Sequence, residues 1–366
     1  MSIINEFRND IHNICHELFL LNIQFHLDEI TQHVVDVLKE NNDYDSKNIY
    51  PEYIKQLIAE LYPDKYGFNY NYFKERDFKN QVEYLLKLPQ YAQRTDEWYK
   101  MKQNTIGASE CSVVFGANPY DSMNSFILKK CGYGEINNRG GIHCQHGIKY
   151  EPIIQQLYCK RNNTTLYEFG SIRHSRINFI SASPDGITPT GVMIEIKAPP
   201  KRIITGIPPI YYWYQMQQQL QVCSLRKVDF IECKIDEYDS YSNFMEDKEY
   251  EKGIIVEYMI DDKIDYIYPD KLLDKNEIDN WILNIKDKIP SNGIFNRFIY
   301  WKLLIYSTTT IWRDDIWWCK NNHKYYEVWN KIENYRKNGY EELIPKKRPR
   351  KLKNEEFIID MIDTTD

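Results

Sequence analysis

The stretch Ser183–Lys197, SPDGITPTGVMIEIK, decides how the chain folds. Its second half, VMIEIK, is a run of strand-forming apolar residues interrupted by Glu195 and Lys197. Residues two apart on a strand share a face, so Glu195 and Lys197 emerge side by side while Ile194 and Ile196 turn the other way into apolar packing. The first half places Asp185 in a Pro-Gly turn, where Gly186 is expected to permit a tight bend. If the two segments pair as a hairpin, Asp185 comes to the Glu195 end. Charges on so apolar a strand are costly to bury unless they are paired or bound to a metal. Two readings are open: a surface hairpin with an ion-paired Glu and Lys, or a divalent-metal site.

Upstream, HGIKYEPIIQQLYCKR reads as a helix from about Gln145 to Arg161 that carries Glu151. Gly147, one turn earlier, is expected to let that helix approach the sheet closely. Three oxygen ligands from Glu151, Asp185 and Glu195, with few nitrogen or sulfur ones, favour magnesium or manganese over zinc. Such an ion stabilises the extra charge on a phosphate under attack and lowers the pKa of a bound water. Lys197 can orient that water, help deprotonate it or neutralise developing charge.

The chain has 366 residues, 42% hydrophobic and 27% charged, as expected of a globular protein. No apolar run approaches the roughly 20 residues that span a bilayer. The start, MSIINEFRND, lacks a cationic stretch before an apolar one, so an intracellular, non-secreted protein without a membrane role is expected. The eight cysteines form no CxxC pair and read as reduced core residues. The net charge is −6, yet Asn138–Lys234 holds twelve Lys or Arg against six Asp or Glu. Three of those six are Glu151, Asp185 and Glu195. A local basic face in an acidic protein suits a polyanionic substrate.

The order of elements predicts an α/β fold, a central mixed β-sheet flanked by helices, behind a helical N-terminal extension over residues 1–88. Residues 89–340 form the main domain, with its core at 93–235, and 341–366 form a tail that is basic and then acidic. Within the domain, SIRHSRINFISASPDG and VMIEIKAPP read as strands, IYYWYQMQQQLQVC as a helix and KVDFIECKI as a further strand. EKGIIVEYMIDDKIDYIYP reads as a hairpin turning at Asp261-Asp262-Lys263. DDIWWCKNNHKYYEVWNKIENYRKNG reads as one long helix ending at Gly339. His12 and His16 have metal-compatible spacing but read as packed or solvated.

Several motifs in register resemble one family, the lambda exonuclease and YqaJ-type viral recombinases of the PD-(D/E)xK nuclease superfamily. RTDEWYKMKQNTIGASE resembles its opening segment, GIKYEP the helix with the first acidic residue, and SPDG with EIK the core. YWYQMQQQLQV resembles the following helix, with its Tyr-x-x-Gln-x-Gln pattern. The resemblance runs from about Gln93 to Ile235 and implies a restriction-endonuclease-like core. It implies that Asp185, Glu195 and the backbone carbonyl of Ile196 hold the catalytic Mg2+, with Mn2+ as a substitute. It further implies that Glu151 completes the acidic cluster, that Lys197 is the catalytic lysine, and that Gln215 positions the lysine or water. Lys102 and Ser109 would contact DNA phosphates, including a 5′-phosphate.

The implied activity is a metal-dependent deoxyribonuclease, a 5′-to-3′ exonuclease on linear duplex DNA serving viral recombination or replication in the host cytoplasm or nucleus. An endonuclease or resolvase of the same superfamily and an inactive DNA-binding scaffold are the alternatives. A homo-oligomeric ring and a single-strand annealing protein are the implied partners. The sequence departs from the family where Lys102 stands for an arginine, which loses the bidentate fork for phosphate. Asn104 and Gly107 also replace a glycine and a threonine that are common there. No cysteine cluster flanks the core, which disfavours the iron–sulfur nucleases of the superfamily.

Overall fold

The structure, a computed structural model, describes residues 3–21, 25–41, 44–66, 78–91, 95–133 and 142–345. The basic run after Pro345, the acidic end and the side chain of Cys144 lie outside the described residues. A small sheet contains β1 (Ile106–Gly107), β2 (Ile172–Arg173) and β3 (Ile180–Ala182) in the order β1-β3-β2. The main sheet contains β4 (Gly186–Ile187), β5 (Val192–Lys197), β6 (Lys227–Glu237), β7 (Lys252–Ile260), β8 (Lys263–Ile267) and β9 (Ile294–Trp312). Its order is β4-β5-β6-β9-β7-β8. The expected mixed α/β architecture is present. Only β5 and β6 run parallel in this sheet, and the Ile210–Cys223 helix makes the crossover that a parallel pair requires.

The hairpin is the decisive local feature. Gly186 pairs with Ile194 and Ile187 with Met193, antiparallel, which brings Asp185 to the Glu195 end of β5. The turn between them is closed by Thr188 N–H donating to the Val192 carbonyl at 2.8 Å, with Gly191 at a φ of 82°. The glycine that must be left-handed is therefore Gly191, not Gly186. Gly186 is instead limited by packing: a Cβ there would stand 3.2 Å from both Ile194 and Leu166. The expectation for Gly147 is also corrected. Nothing lies within 4 Å of a Cβ built on it, so its small size does not bring the Ile142–Asn162 helix to the sheet.

The strand missed in the sequence is β9. Its 19 residues pair with β6 along Trp301–Trp312 and with β7 along Ile294–Lys302. Gly253 of β7 faces Trp301, whose ring would stand 2.5 Å from any added Cβ. The β7–β8 hairpin turns where expected, with Asp261 and Asp262 at φ of 49° and 59°, as a two-residue turn of this hand requires. The segment expected to be one strand before Asp185 is divided into β2 and β3, with a turn between them. The expected long C-terminal helix is two, Asp315–Asn321 and His323–Asn338, broken at Asn322 in a run of weak helix formers.

The N-terminal helices, among them Leu27–Glu40 and Pro51–Leu61, share one apolar core with the sheets. Ile30, Val34 and Leu38 recur at helical spacing and are all buried. Tyr50 donates its hydroxyl to the Pro208 carbonyl at 2.9 Å. Gln56 ties the extension to β9, donating to the Thr310 carbonyl at 3.0 Å and accepting from Trp312 N–H at 3.2 Å. His12 is exposed; it stacks on Tyr62 at 5.6 Å and shares a 2.8 Å hydrogen bond with its hydroxyl. Among the described residues no helix is long and apolar enough to cross a membrane.

Candidate active site

β5 is buried on both faces. Ile194 and Ile196 pack with Tyr150, Ile153, Ile154 and Leu157 of the Ile142–Asn162 helix. Burying such side chains stabilises by roughly 1.5–3 kcal/mol each, which fixes the register that presents Glu195 and Lys197 to the opposite face. There Glu195 is 1% exposed. An ionised carboxylate at that depth needs several partners, and it has them. Lys197 Nζ donates to Oε1, forming an ion pair. Gln215 Nε2 donates to the same oxygen at 2.6 Å. Gln219 Nε2 donates to Oε2 at 2.6 Å.

Gln215 and Gln219 are one helical turn apart, so one face of the Ile210–Cys223 helix grips both carboxylate oxygens. Gln218 of the same helix donates to the carbonyls of Ile106 and Ser181, 2.8 Å each, and so joins β1 and β3. Gln217 donates to the Trp312 carbonyl at 2.8 Å and accepts from Asp314 N–H at 2.8 Å. These glutamines on an otherwise apolar helix are thus a set of buried anchors. From sequence only Gln215 has an expected role; Gln217 falls in the Tyr-x-x-Gln-x-Gln pattern without one, and Gln218 and Gln219 lie outside it. Their unbroken succession on a helix with apolar flanks was the available signal.

Asp185 is half-buried at the bend before β4. Its Oδ2 accepts from Ile196 N–H at 2.7 Å. The N–H and C=O of one strand residue point to the same edge, so the Ile196 carbonyl opens on the Asp185 side as well. Burial, then the charge of Glu195, then that of Glu151, push the Asp185 carboxyl well above its usual range against the pull of Lys197. Burial disfavours the Lys197 ammonium, but Glu195 and Asp185 outweigh it and hold the group above the ordinary lysine range.

Glu151 approaches from the other side of β5. It lines a cleft of about 400 Å3 with Gln155, Glu168, Phe169, Pro184 and Asp185. Gln155, one turn beyond Glu151, donates to the Asp185 carbonyl at 2.8 Å and locks that helix to the bend. Asp185 is therefore the bridge between Glu151 and the Glu195–Lys197 pair. Among the described residues no three His, Cys, Asp or Glu side chains are already gathered around one point that could hold an ion. The chemistry of the donors nevertheless fits a hard divalent cation. All are oxygens, and the charges of Glu195 and Glu151 both act on Asp185, beside the Lys197 ammonium. Asp185, Glu195 and the Ile196 carbonyl would hold such an ion, with Glu151 alongside.

Lys102 and Ser109 lie on the neighbouring segment and share no hydrogen bond or ion pair with Asp185, Glu195 or Lys197 among the described residues. Ser109 is exposed on a single turn, Ala108–Glu110. That turn is fixed by Glu110, which accepts from Gly107 N–H and from Lys130, 2.8 Å each. Lys102 is half-buried with its Nζ 4.6 Å from the centre of the Trp98 ring. Arg336 of the His323–Asn338 helix grips the loop beyond it, donating to the Gln103 and Lys130 carbonyls at 2.6 and 2.7 Å.

Two further charged groups stand beside the lysine. Glu232 of β6 is in register with Lys197, is 1% exposed and pairs with Arg202. Burial raises its carboxyl pKa, opposed by Arg202 and Lys197. Of the three acids in the basic segment not assigned from sequence, Glu168 lines the cleft, Glu232 faces Lys197, and Asp229 accepts from Tyr158 and Thr310 at 2.7 and 2.8 Å.

Residues 97–261 match the family described as the YqaJ-like viral recombinase domain. An uncharacterized protein of Acanthamoeba polyphaga mimivirus is 33% identical over 296 residues, covering 67% of this chain and 53% of that protein. A protein of African swine fever virus is 26% identical over 160 residues, 35% of this chain and 45% of that protein. The chain spans about half the length of these viral relatives. Among solved structures, an alkaline exonuclease (LHK-Exo) from Laribacter hongkongensis is 20% identical with a TM-score of 0.42, covering 66% of this chain and 94% of that one. A phage-related exonuclease from Haemophilus somnus 129PT is 14% identical with a TM-score of 0.37, covering 63% and 93%.

Proposed function

The chain carries a YqaJ-like viral recombinase domain over residues 97–261, and from that premise we propose that it is a divalent-metal-dependent DNA nuclease. The observation that supports this most is the buried Glu195–Lys197 ion pair beside Asp185, held by two glutamines rather than left as a surface contact. A surface pair contributes little and needs no such anchoring. When bound, Mg2+ or Mn2+ would supply charge neutralisation and a water of lowered pKa. Lys197, paired with the Glu195 carboxylate, is placed to stabilise negative charge on the phosphate under attack. Gln215 holds the Glu195 carboxylate in one orientation, and Asp185 is oriented by the Ile196 N–H.

The finer reading is a 5′-to-3′ exonuclease on linear duplex DNA, in which Lys102 and Ser109 hold the terminal phosphate. With it come a ring of several copies for processive action and an annealing protein that receives the single-stranded product at the viral replication site, in the host cytoplasm or nucleus. The test compares linear with covalently closed duplex in magnesium and in EDTA, with label at either end. Loss of label from 5′ ends of linear DNA only, abolished by EDTA, is the expected result. Cutting of closed circles would instead show an endonuclease. Binding with no acid-soluble product would show a scaffold.

A further inference from the structure

We propose that Tyr120, Tyr211 and Tyr212 form a stacking track for unpaired bases of the DNA strand that enters the Glu195–Lys197 site. The inference rests on the nuclease reading and adds to it a prepared path for the strand. Tyr120 is 81% exposed. It is not a frayed side chain, because its loop is braced on both sides. Asn118 Oδ1 accepts from the N–H groups of Tyr120 and Asp121 at 2.8 and 2.9 Å. Ser122 then caps the Met123–Lys130 helix through Ser125 N–H at 3.3 Å, and Lys129 pairs with Asp121 at 2.7 Å. A large ring is thus held out into water by a pre-formed turn.

The rings continue inward. Tyr120 meets Tyr211 edge to face, with centroids 6.2 Å apart, and Tyr211 meets Tyr212 at 4.4 Å. The Tyr212 ring lies 4.9 Å from Lys197 Nζ and 5.8 Å from the Arg202 guanidinium. Three rings therefore lead from solvent to the lysine proposed to act on the phosphate, and the last has two cations beside it. Tyr212 also packs into the core, with its ring 5.5 Å from that of Phe230, so the part of the track open to solvent is Tyr120. The helix that bears Tyr211 and Tyr212 is already anchored on its other side, where Tyr214 stacks on Trp317 at 5.4 Å and meets Phe115 at 4.6 Å. An exposed ring that leads through half-buried ones to a pair of cations suits single-stranded nucleic acid, since every base has a face to stack and every phosphate a charge to pair. Bases stacked inside a duplex offer no free face, so the track takes a strand whose end has been opened.

The test uses the full chain in EDTA, a fluorescein-labelled duplex with a short unpaired thymidine tail, and a blunt duplex of the same sequence. Tyr120→Ala is expected to weaken binding of the tailed duplex by about five- to a hundredfold, with less effect on the blunt one. Tyr120→Leu should behave like Ala and Tyr120→Phe like the unmutated protein, since only Phe keeps the ring. The salt dependence should keep its slope, because no phosphate contact is removed. Equal affinity of the Ala variant and the unmutated protein for the tailed duplex overturns the track, as does a Leu variant that binds as well as Phe. If the unmutated protein binds no DNA at all, the inference falls together with the nuclease reading. If it binds and cuts but is indifferent to Tyr120, the track alone falls.

Discussion

Gln219, with no solvent exposure, donates to Glu195 Oε2 at 2.6 Å, while Gln215 one turn earlier takes Oε1. The carboxylate is therefore held at both oxygens by a single helix. Removing either amide leaves a buried charge short of a donor, and the two losses differ in what they touch. Gln219→Leu should cost about 1–3 kcal/mol of stability, because the lost bond is fully buried. Gln215 is half-buried at the reacting side, so Gln215→Leu should lower kcat more than it lowers stability. Urea unfolding beside cleavage rates separates the two.

The acidic residues and the lysine form a unit. Asp185→Asn, Glu195→Gln and Lys197→Met should each reduce nucleotide release by at least about a hundredfold, the scale of a lost charge-stabilising group. Lys197→Met leaves the Glu195 carboxylate, 1% exposed, without its cation, so it should be the least stable of the three. Binding of the same DNA in EDTA should survive in Asp185→Asn, which removes only negative charge from the site.

Arg336 holds the loop that follows Lys102 by several guanidinium bonds to backbone carbonyls. Lysine cannot reproduce that fork. Arg336→Lys should therefore lower the melting temperature and, on the proposed phosphate-holding role of Lys102, weaken binding of 5′-phosphorylated ends together. Lys102→Ala should leave the melting temperature alone and reduce the salt slope of DNA binding by about one.

Glu237 joins β6 to the Ile142–Asn162 helix and to β9. Burial raises its carboxyl pKa, but Lys149, Tyr150 and Arg297 outweigh burial and hold it below the usual glutamate range. A depressed folded-state pKa contributes stability that is full above the unfolded value, about 4.3, and is lost as pH falls through the folded value. Glu237→Gln should thus be less stable than the unmutated protein near neutrality and should lose less on acidification. Parallel urea titrations at neutral and acid pH measure the difference.

The shared core makes the first helices part of the same folding unit. Gly253→Ala, 2.5 Å from the Trp301 ring, should cost about 1–3 kcal/mol by overpacking. Tyr50→Phe, on the extension, removes the bond to Pro208 and should cost about 0.5–1.5 kcal/mol. Both variants should unfold in one transition seen alike by tryptophan fluorescence and far-UV dichroism. Separate transitions would show that the extension folds apart.

What was legible in the sequence follows from period and chemistry. The VMIEIK alternation placed Ile194 and Ile196 in the core and Glu195 beside Lys197, because a two-residue period leaves no other register. The β7–β8 turn was legible because Asp tolerates the left-handed region. Less could be read where the cause is tertiary. β9 mixes apolar and polar residues over 19 positions, since different parts of it face different neighbours, and no simple period results. Gly191 rather than Gly186 takes the left-handed turn, a choice set by pairing register and not by the Pro-Gly dipeptide. Gln219 and Glu232 meet Glu195 and Lys197 only through the crossover and the parallel pairing, which short-range pattern does not encode.

The most direct test of the central claim is anomalous scattering from crystals of the active protein soaked in manganese. The account predicts a peak bounded by Asp185, Glu195 and the Ile196 carbonyl, with Glu151 near it, that is lost in Asp185→Asn. A crystal form that cleaves DNA in solution yet places its manganese elsewhere, or leaves this position empty at saturating metal, would contradict it.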